Sequence, residues 1–327
     1  MQESLFQEDD RCEQKTSNVM SQLQRDRALE GVVREILRKG RGSLEERFAH
    51  MFRASVDEIL DGRRTMRFDF SKVSSVEKSY LGAKVEILAR EEFDFGHGLK
   101  LDYMINGHEV DAKFSATGAW MIAPKNVGEI LLVMQASEET SLFSVGVVRA
   151  CEDLLRPAPT RDSKRSFSAT GKDSITWLIE DAQYPRNQIM ELFLRAPRAI
   201  EAIFASSGSG QQRVNELFRR LQGVHVHRTT VQTVAAQEDS SKRVRDARNE
   251  LRDSGILILG YHRRHREIAS ALGIERISQG EWVSVKVFPA EPSCTERQAV
   301  IDGVPYRLAR IGDGTAAAPN IPPENGT

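Results

Sequence analysis

The chain has 327 residues, 40% of them hydrophobic and 28% charged, with a formal net charge of −1; at about 150 residues per domain, this length implies two domains. No apolar run approaches the roughly 18 residues of a membrane span, and the N-terminus lacks the basic-then-apolar order of a secretory signal. Three scattered cysteines, Cys12, Cys151 and Cys294, make neither a disulfide framework nor a zinc site, which points to a reducing cytoplasm.

Residues 1–27 are polar and without hydrophobic period, and read as a flexible segment. Helices are predicted over 28–39 and 43–54, the second opened by Ser43 with Glu46 three residues on. Ile59-Leu60-Asp61-Gly62-Arg63-Arg64 resembles the nucleotidyl-transfer motif of DNA ligases, but Ile59 stands where the nucleophilic lysine is needed, so it has no lone pair to attack a phosphate. The plain reading is a helix ended by Asp-Gly. Ser74 and Glu77 make a capping box for a helix whose apolar face is Val76, Tyr80, Ala83 and Ile87. The period then changes to two, and Leu99–Ile105, Glu109–Ser115, Ile130–Met134 and Leu142–Val148 read as strands.

The stretch LKLDYMINGHEVDAKFS carries the chemistry. Asn106-Gly107 between two alternating segments is a strong hairpin signal, because a type I′ turn needs positive φ twice. Counting outward, Ile105 faces His108, Met104 faces Glu109, Tyr103 faces Val110, and Asp102 faces Asp111. Two carboxylates directly opposite one another destabilise a sheet unless something positive lies between them. Alternation adds Lys113 to the face of Asp111. Two oxygen ligands and an ammonium suit Mg²⁺, which can bind a phosphate oxygen and activate a water. Lys113 would orient that water, stabilise the transition state or act as base, and the sequence leaves these open. The plain alternative is a solvated acidic hairpin. Asp94, as a loop residue, and Glu109, on strand parity, are set aside as ligands.

The same segment resembles the PD-(D/E)xK nucleases, with Asp102 as first acid and Asp111-Ala112-Lys113 as the second motif; the family's proline is replaced by Leu101. Over roughly residues 45–150, including FDFSKVSSVEKSYLGAKVEI, it is similar to the NaeI type of restriction endonuclease. That resemblance implies a Mg²⁺-dependent, homodimeric type II enzyme of a restriction–modification pair, cutting duplex DNA at a short palindrome and leaving 5′-phosphates. It also implies that Glu86 joins Asp102, Asp111 and Lys113 at the catalytic and metal site. Without it, Glu86 is a charged residue beside an apolar stripe.

Residues 156–172, rich in Pro, Ser and charge, read as a linker. Residues 185–270 carry fifteen Lys/Arg against nine Asp/Glu, an asymmetry that hints at nucleic acid. Helices are predicted over 186–205, 211–222, 230–237 and 240–253, and strands over Ile256–Leu259 and Trp282–Phe288. Residues 227–266 read as a helix-turn-helix with a wing. Val244, Ala247 and Leu251 form the buried stripe of the second helix, and Arg245, Arg248, Asn249 and Arg252, with Lys242 at its start, form a face suited to a major groove. Arg263 and Arg264 follow as phosphate contacts from the wing. A solvated basic helix is the plain alternative. The resemblance implies a catabolite-activator-like winged-helix domain that binds a second DNA copy as effector. Trp120, Trp177 and Trp282 read as core, and the histidines at 225, 227, 262 and 265 do not form a zinc site. The tail 311–327 reads as disordered.

The expected organisation is a flexible segment (1–27), an endonuclease domain (28–155), a linker (156–172), a winged-helix domain (173–310) and a disordered tail. The expected fold is an α/β, mixed-sheet nuclease core followed by a mainly α winged-helix domain. Two other readings stay open: a DNA-binding transcriptional regulator with an inactive nuclease fold, and a strand-nicking repair enzyme.

Overall fold

The computed structural model describes residues 26–157, 163–205 and 208–321. Residues up to 25, five linker residues, residues 206 and 207 and the last six of the tail lie outside them. The protein is a mixed α/β chain of two compact units. The first comprises residues up to Ile59 and Val73–Arg186, the second Leu60–Lys72 and Asn187 onward.

The first unit opens with α1 (Arg27–Gly40), capped by Asp26, whose Oδ1 accepts the amides of Ala28 and Leu29 at 3.1 Å each. The second oxygen of Asp26 meets Arg149. α2 (Leu44–Leu60) follows; Ser43 precedes it, but its hydroxyl donates to the Gly40 carbonyl at 3.3 Å. The chain then leaves this unit for residues 60–72, which carry the short α3 (Gly62–Thr65). It returns with α4 (Ser75–Phe93), whose start is the expected box: Glu77 Oε2 accepts the Ser74 amide at 2.9 Å, and Ser74 Oγ accepts that of Glu77.

α4 buries Leu81, Val85, Ala89 and Phe93. This corrects the expected inward face. Val76, Tyr80, Ala83 and Ile87 are exposed, because the helix is apolar on two opposite sides and only the other side meets the sheet.

Six strands form the sheet in chain order, β1 (Gly96–His97), β2 (Tyr103–Ile105), β3 (His108–Ser115), β4 (Ile130–Ser137), β5 (Leu142–Arg149) and β6 (Thr176–Gln183). Only β3 and β4 run parallel. The register of β2 on β3 is the one counted from the turn, Tyr103 opposite Val110, Met104 opposite Glu109 and Ile105 opposite His108. Asn106 and Gly107 have φ of 50° and 77°. β4 is buried on both faces over its first five residues. Phe48 and Phe93 stack on one side, with centroids 4.3 Å apart, and Trp120, Ile122, Leu131, Val133 and Phe167 pack on the other.

The linker expectation fails within its described part. Phe167 is buried and bridges Leu155, Arg165 bridges Ile122, and α5 (Ala169–Asp173) leads directly into β6. The first unit therefore extends to Arg186, held by Phe167 and Ile175 in its core.

The second unit contains α6 (Gln188–Arg195), α7 (Pro197–Ala205), α8 (Gly210–Arg220), β7 (His225–His227), α9 (Arg228–Ala235) and α10 (Ser240–Leu251). After these come β8 (Ile256–Gly260), α11 (Arg263–Ala271), β9 (Glu281–Pro289), β10 (Ala299–Ile301) and β11 (Val304–Leu308). β9 is the hub, with β8 on one edge and β7 and β11 on the other, all antiparallel. Five strands make the expectation of a mainly α domain wrong. The missed hairpin β10–β11 turns on Asp302-Gly303, with φ of 50° and 81°, the same signal that gave the first hairpin. One face of this sheet packs Ile256, Ile258 and Trp282 on the helices; the other packs Leu257 and Leu259 on Ile268 and Ala318. The tail is ordered as far as it is described: Ala318 is buried, its amide donates to Arg252 O at 2.8 Å, and Asp313 clamps Arg307.

Candidate active site

The site forms at the open end of the β2–β3 hairpin. Asp102 precedes β2, and its Oδ2 accepts the amide of Ala112 at 2.7 Å. This ties the first acid to the strand carrying the second. Asp111 is 5% exposed. Its Oδ2 takes a close ion pair from Lys113 and a hydrogen bond from Asn126 Nδ2 at 2.8 Å. Lys113 also donates to Ala112 O at 3.1 Å. Burial pushes the Asp111 carboxyl above its ordinary range, the neighbouring Asp102 adds to this, and Lys113 opposes it.

Glu86 arrives from α4. Burial raises its carboxyl, as does the charge of Asp102, with Lys113 pulling the other way and Asp111 adding a smaller push. Glu86 therefore lies within electrostatic reach of all three hairpin residues. Tyr103, fully buried, donates its hydroxyl to the Glu86 carbonyl at 2.8 Å and so fastens α4 to β2 beneath the site. Burial, then Glu86 and Asp102, push that phenol far up, so it stays protonated.

Among the described residues, no three His, Cys, Asp or Glu side chains converge tightly enough to hold a metal by themselves. Asp102 and Asp111 are the pair brought together. Their donor set fits Mg²⁺, which takes one or two carboxylates and keeps several waters. Asn126, whose Nδ2 meets Asp111, also carries a buried Oδ1 without a partner.

The strand expected from Leu99 begins only at Tyr103, because Glu109 accepts the amides of Leu99 and Leu101 at 2.7 and 2.9 Å and folds 99–102 into a loop. Glu109 shares the parity of Asp111 and Lys113, so the reason given for excluding it was wrong. Its oxygens are occupied by the loop. Asp94 caps α4 in the left-handed region, with its side chain fully exposed. Sequence reasoning missed Asn126, Tyr103 and the work of Glu109. Nothing around Pro124-Lys125-Asn126 marks Asn126, whereas the hairpin count itself put Glu109 on the face of Asp111.

In the second unit α9 and α10 are joined by a short turn, with Ala236 at φ 53° in it and Asp239 accepting the Lys242 amide at 2.9 Å. Lys242, Arg245, Asn249 and Arg252 are exposed along one stripe. Arg248 is not part of it: it is half-buried, its Nε donates to Ile258 O at 2.8 Å, and burial beside Arg245 pulls its guanidinium down to about 10. Arg263 and Arg264 lie at the start of α11, not on a wing, and pair with Glu267 and Asp302 at 3.1 and 2.9 Å. The chain turns at Asp61 (φ 44°) after buried Ile59, and Gly62 opens α3 against α9. Trp120 and Trp282 are buried, and Trp177 is half-buried against Trp120.

A family model described as restriction endonuclease NaeI matches residues 32–317. The Type II restriction enzyme NaeI of Lentzea aerocolonigenes is 37% identical over 288 residues, covering 85% of this chain and 89% of the relative.

Proposed function

The chain belongs to the NaeI restriction endonuclease family, and on that premise we propose that it is a type II enzyme hydrolysing duplex DNA at a short palindrome, with Mg²⁺ as cofactor and as a homodimer. The observation that carries this reading is the hairpin that sets Asp102 beside Asp111 and pairs Lys113 with the latter.

The charge of the site supports the cofactor. Three carboxylates (Glu86, Asp102, Asp111) face one ammonium (Lys113), so an anionic phosphate is repelled until a cation is held between the acids. Asp102 and Asp111 would hold Mg²⁺, and the family resemblance adds Glu86 to that set. The bound ion would supply Lewis-acid stabilisation of the phosphate and lower the pKa of a water. Lys113, paired with Asp111, places positive charge where negative charge grows on the phosphoryl oxygens in the transition state. Water adds to phosphorus in line with the departing 3′ oxygen, the P–O3′ bond breaks, and the products are a 5′-phosphate and a 3′-hydroxyl that takes up the proton. Tyr103, buried, donates its hydroxyl to the Glu86 backbone carbonyl and so holds that turn of α4 against the hairpin.

Lys242, Arg245, Asn249 and Arg252 present the chemistry of a major-groove reader, and the second unit is proposed to bind a further copy of DNA, which would make the enzyme effector-dependent. The presence of all four site residues disfavours an inactive regulator. A nicking enzyme would stop at the open circle on supercoiled plasmid. Among the described residues no helix is long and apolar enough to cross a membrane.

The test is digestion of a long unmethylated duplex with and without Mg²⁺. Discrete fragments that EDTA abolishes support the reading. A structureless smear, or cutting indifferent to EDTA, overturns it.

A further inference from the structure

Asn126 closes the short turn Pro124–Asn126 ahead of β4 and is 2% exposed. One end of its carboxamide donates to Asp111 Oδ2 at 2.8 Å. The other end, Oδ1, is buried without a partner. Leaving a buried acceptor unpaired costs folding free energy, and a leucine of similar shape would avoid that cost. Lys113 converges on the same Oδ2, so two donors from different elements fix the rotation of one carboxylate. Of the two, Asn126 orients without adding charge and leaves the excess of carboxylates in place for a cation.

We propose that Asn126 is a positioning residue of the nuclease site, holding the Asp111 carboxylate in its ligating orientation and offering Oδ1 as an uncharged acceptor beside the cation. This rests on the nuclease reading of the same site. Partners that orient a ligating carboxylate typically change metal affinity or activity by about 10- to 100-fold, and Asn126 is the buried uncharged side chain in contact with Asp111.

The experiment compares the full-length chain with Asn126→Leu, Asn126→Ala and Asp111→Ala. Three quantities are read: Mn²⁺ binding by electron paramagnetic resonance without DNA, thermal unfolding, and duplex binding in EDTA. Asn126→Leu is expected to bind Mn²⁺ about 10- to 100-fold more weakly, with an unfolding temperature equal to or above that of the unsubstituted chain and unchanged duplex binding. A purely structural asparagine gives the opposite pattern, a lower unfolding temperature with Mn²⁺ affinity intact, and that result overturns the proposal. Should the leucine variant not fold, Asn126→Ala is read against the same two outcomes. Asp111→Ala separates the levels. If it binds Mn²⁺ as the unsubstituted chain does, the nuclease reading of the site fails and this proposal with it. If it loses the ion while both Asn126 variants keep it, only the role of Asn126 is refuted.

Discussion

A β-carbon on Gly62 would lie 2.2 Å from Thr233 Oγ1 and 3.0 Å from Thr233 Cβ. The stretch that resembles a ligase motif is thus a docking segment, packed so closely on α9 that no side chain fits at its glycine. Arg63 extends the contact by pairing with Glu238 at 2.7 Å, and Phe68 stacks near Phe193 and Phe204. Turning Thr233 about χ1 does not open the space, because its Cγ2 and Cβ are themselves within 3.0 Å. Gly62→Ala is expected to destabilise the second unit by about 1–3 kcal/mol, read as a lower midpoint in urea. Adding Thr233→Ala should recover part of the loss; a fully additive double variant would show that the two residues do not clash.

Asp111→Asn and Lys113→Ala should each lower cleavage by at least about 10²–10³-fold while duplex binding persists. Single-turnover cleavage and a binding assay in EDTA, made on the same preparations, separate chemistry from affinity. Cleavage surviving Asp111→Asn would remove the hairpin from the mechanism.

Arg245 and Arg248 are three residues apart, yet should behave differently. Arg245→Ala removes an exposed donor and should weaken specific DNA binding by about 1–3 kcal/mol, with a shallower dependence on salt. Arg248→Ala removes the donor from the Ile258 carbonyl and should lower thermal stability, leaving binding at a permissive temperature largely intact. Equal effects on binding would mean that Arg248 leaves its pocket to reach DNA.

Asp26 caps α1 and pairs with Arg149 at the end of β5. Its carboxyl is held below the usual aspartate range, chiefly by the hydrogen bond from Arg149 and further by the Leu29 and Ala28 amides. A depressed carboxyl stabilises the fold fully above its unfolded pKa, and that share is lost as pH falls through the lower folded value. Asp26→Ala should therefore cost about 1–2 kcal/mol at neutral pH, and the difference from the unsubstituted chain should shrink below pH 4. A gap unchanged in acid would contradict the ion pair.

Glu109 shapes the site without touching it. Glu109→Ala should free the amides of Leu99 and Leu101 and reduce cleavage through a displaced Asp102, with the sheet unaffected. Amide exchange is expected to speed up at 99–101 and remain slow at 110–114; uniform exchange rates would rule out a local role.

The sequence by itself determined the hairpin and the register of Tyr103–Ile105 on its partner strand, because Asn106-Gly107 fixes the turn and the two-residue period does the rest; Asp102 lies in the loop before the paired residues and is tied to the partner strand by the Ala112 amide. It also determined the capping box of α4 and the two helices α9 and α10, again from chemistry within a few residues. Only the tertiary structure decided which of the two apolar sides of α4 meets the sheet, and with it the approach of Glu86. The same is true of Asn126 reaching Asp111, of Arg248 turning inward to Ile258, and of residues 60–72 and β6 joining units other than those their position in the chain suggested. In each of these cases the partner lies many residues away or on another element. The energy that selects it is burial and hydrogen bonding across the core, which local sequence pattern does not encode.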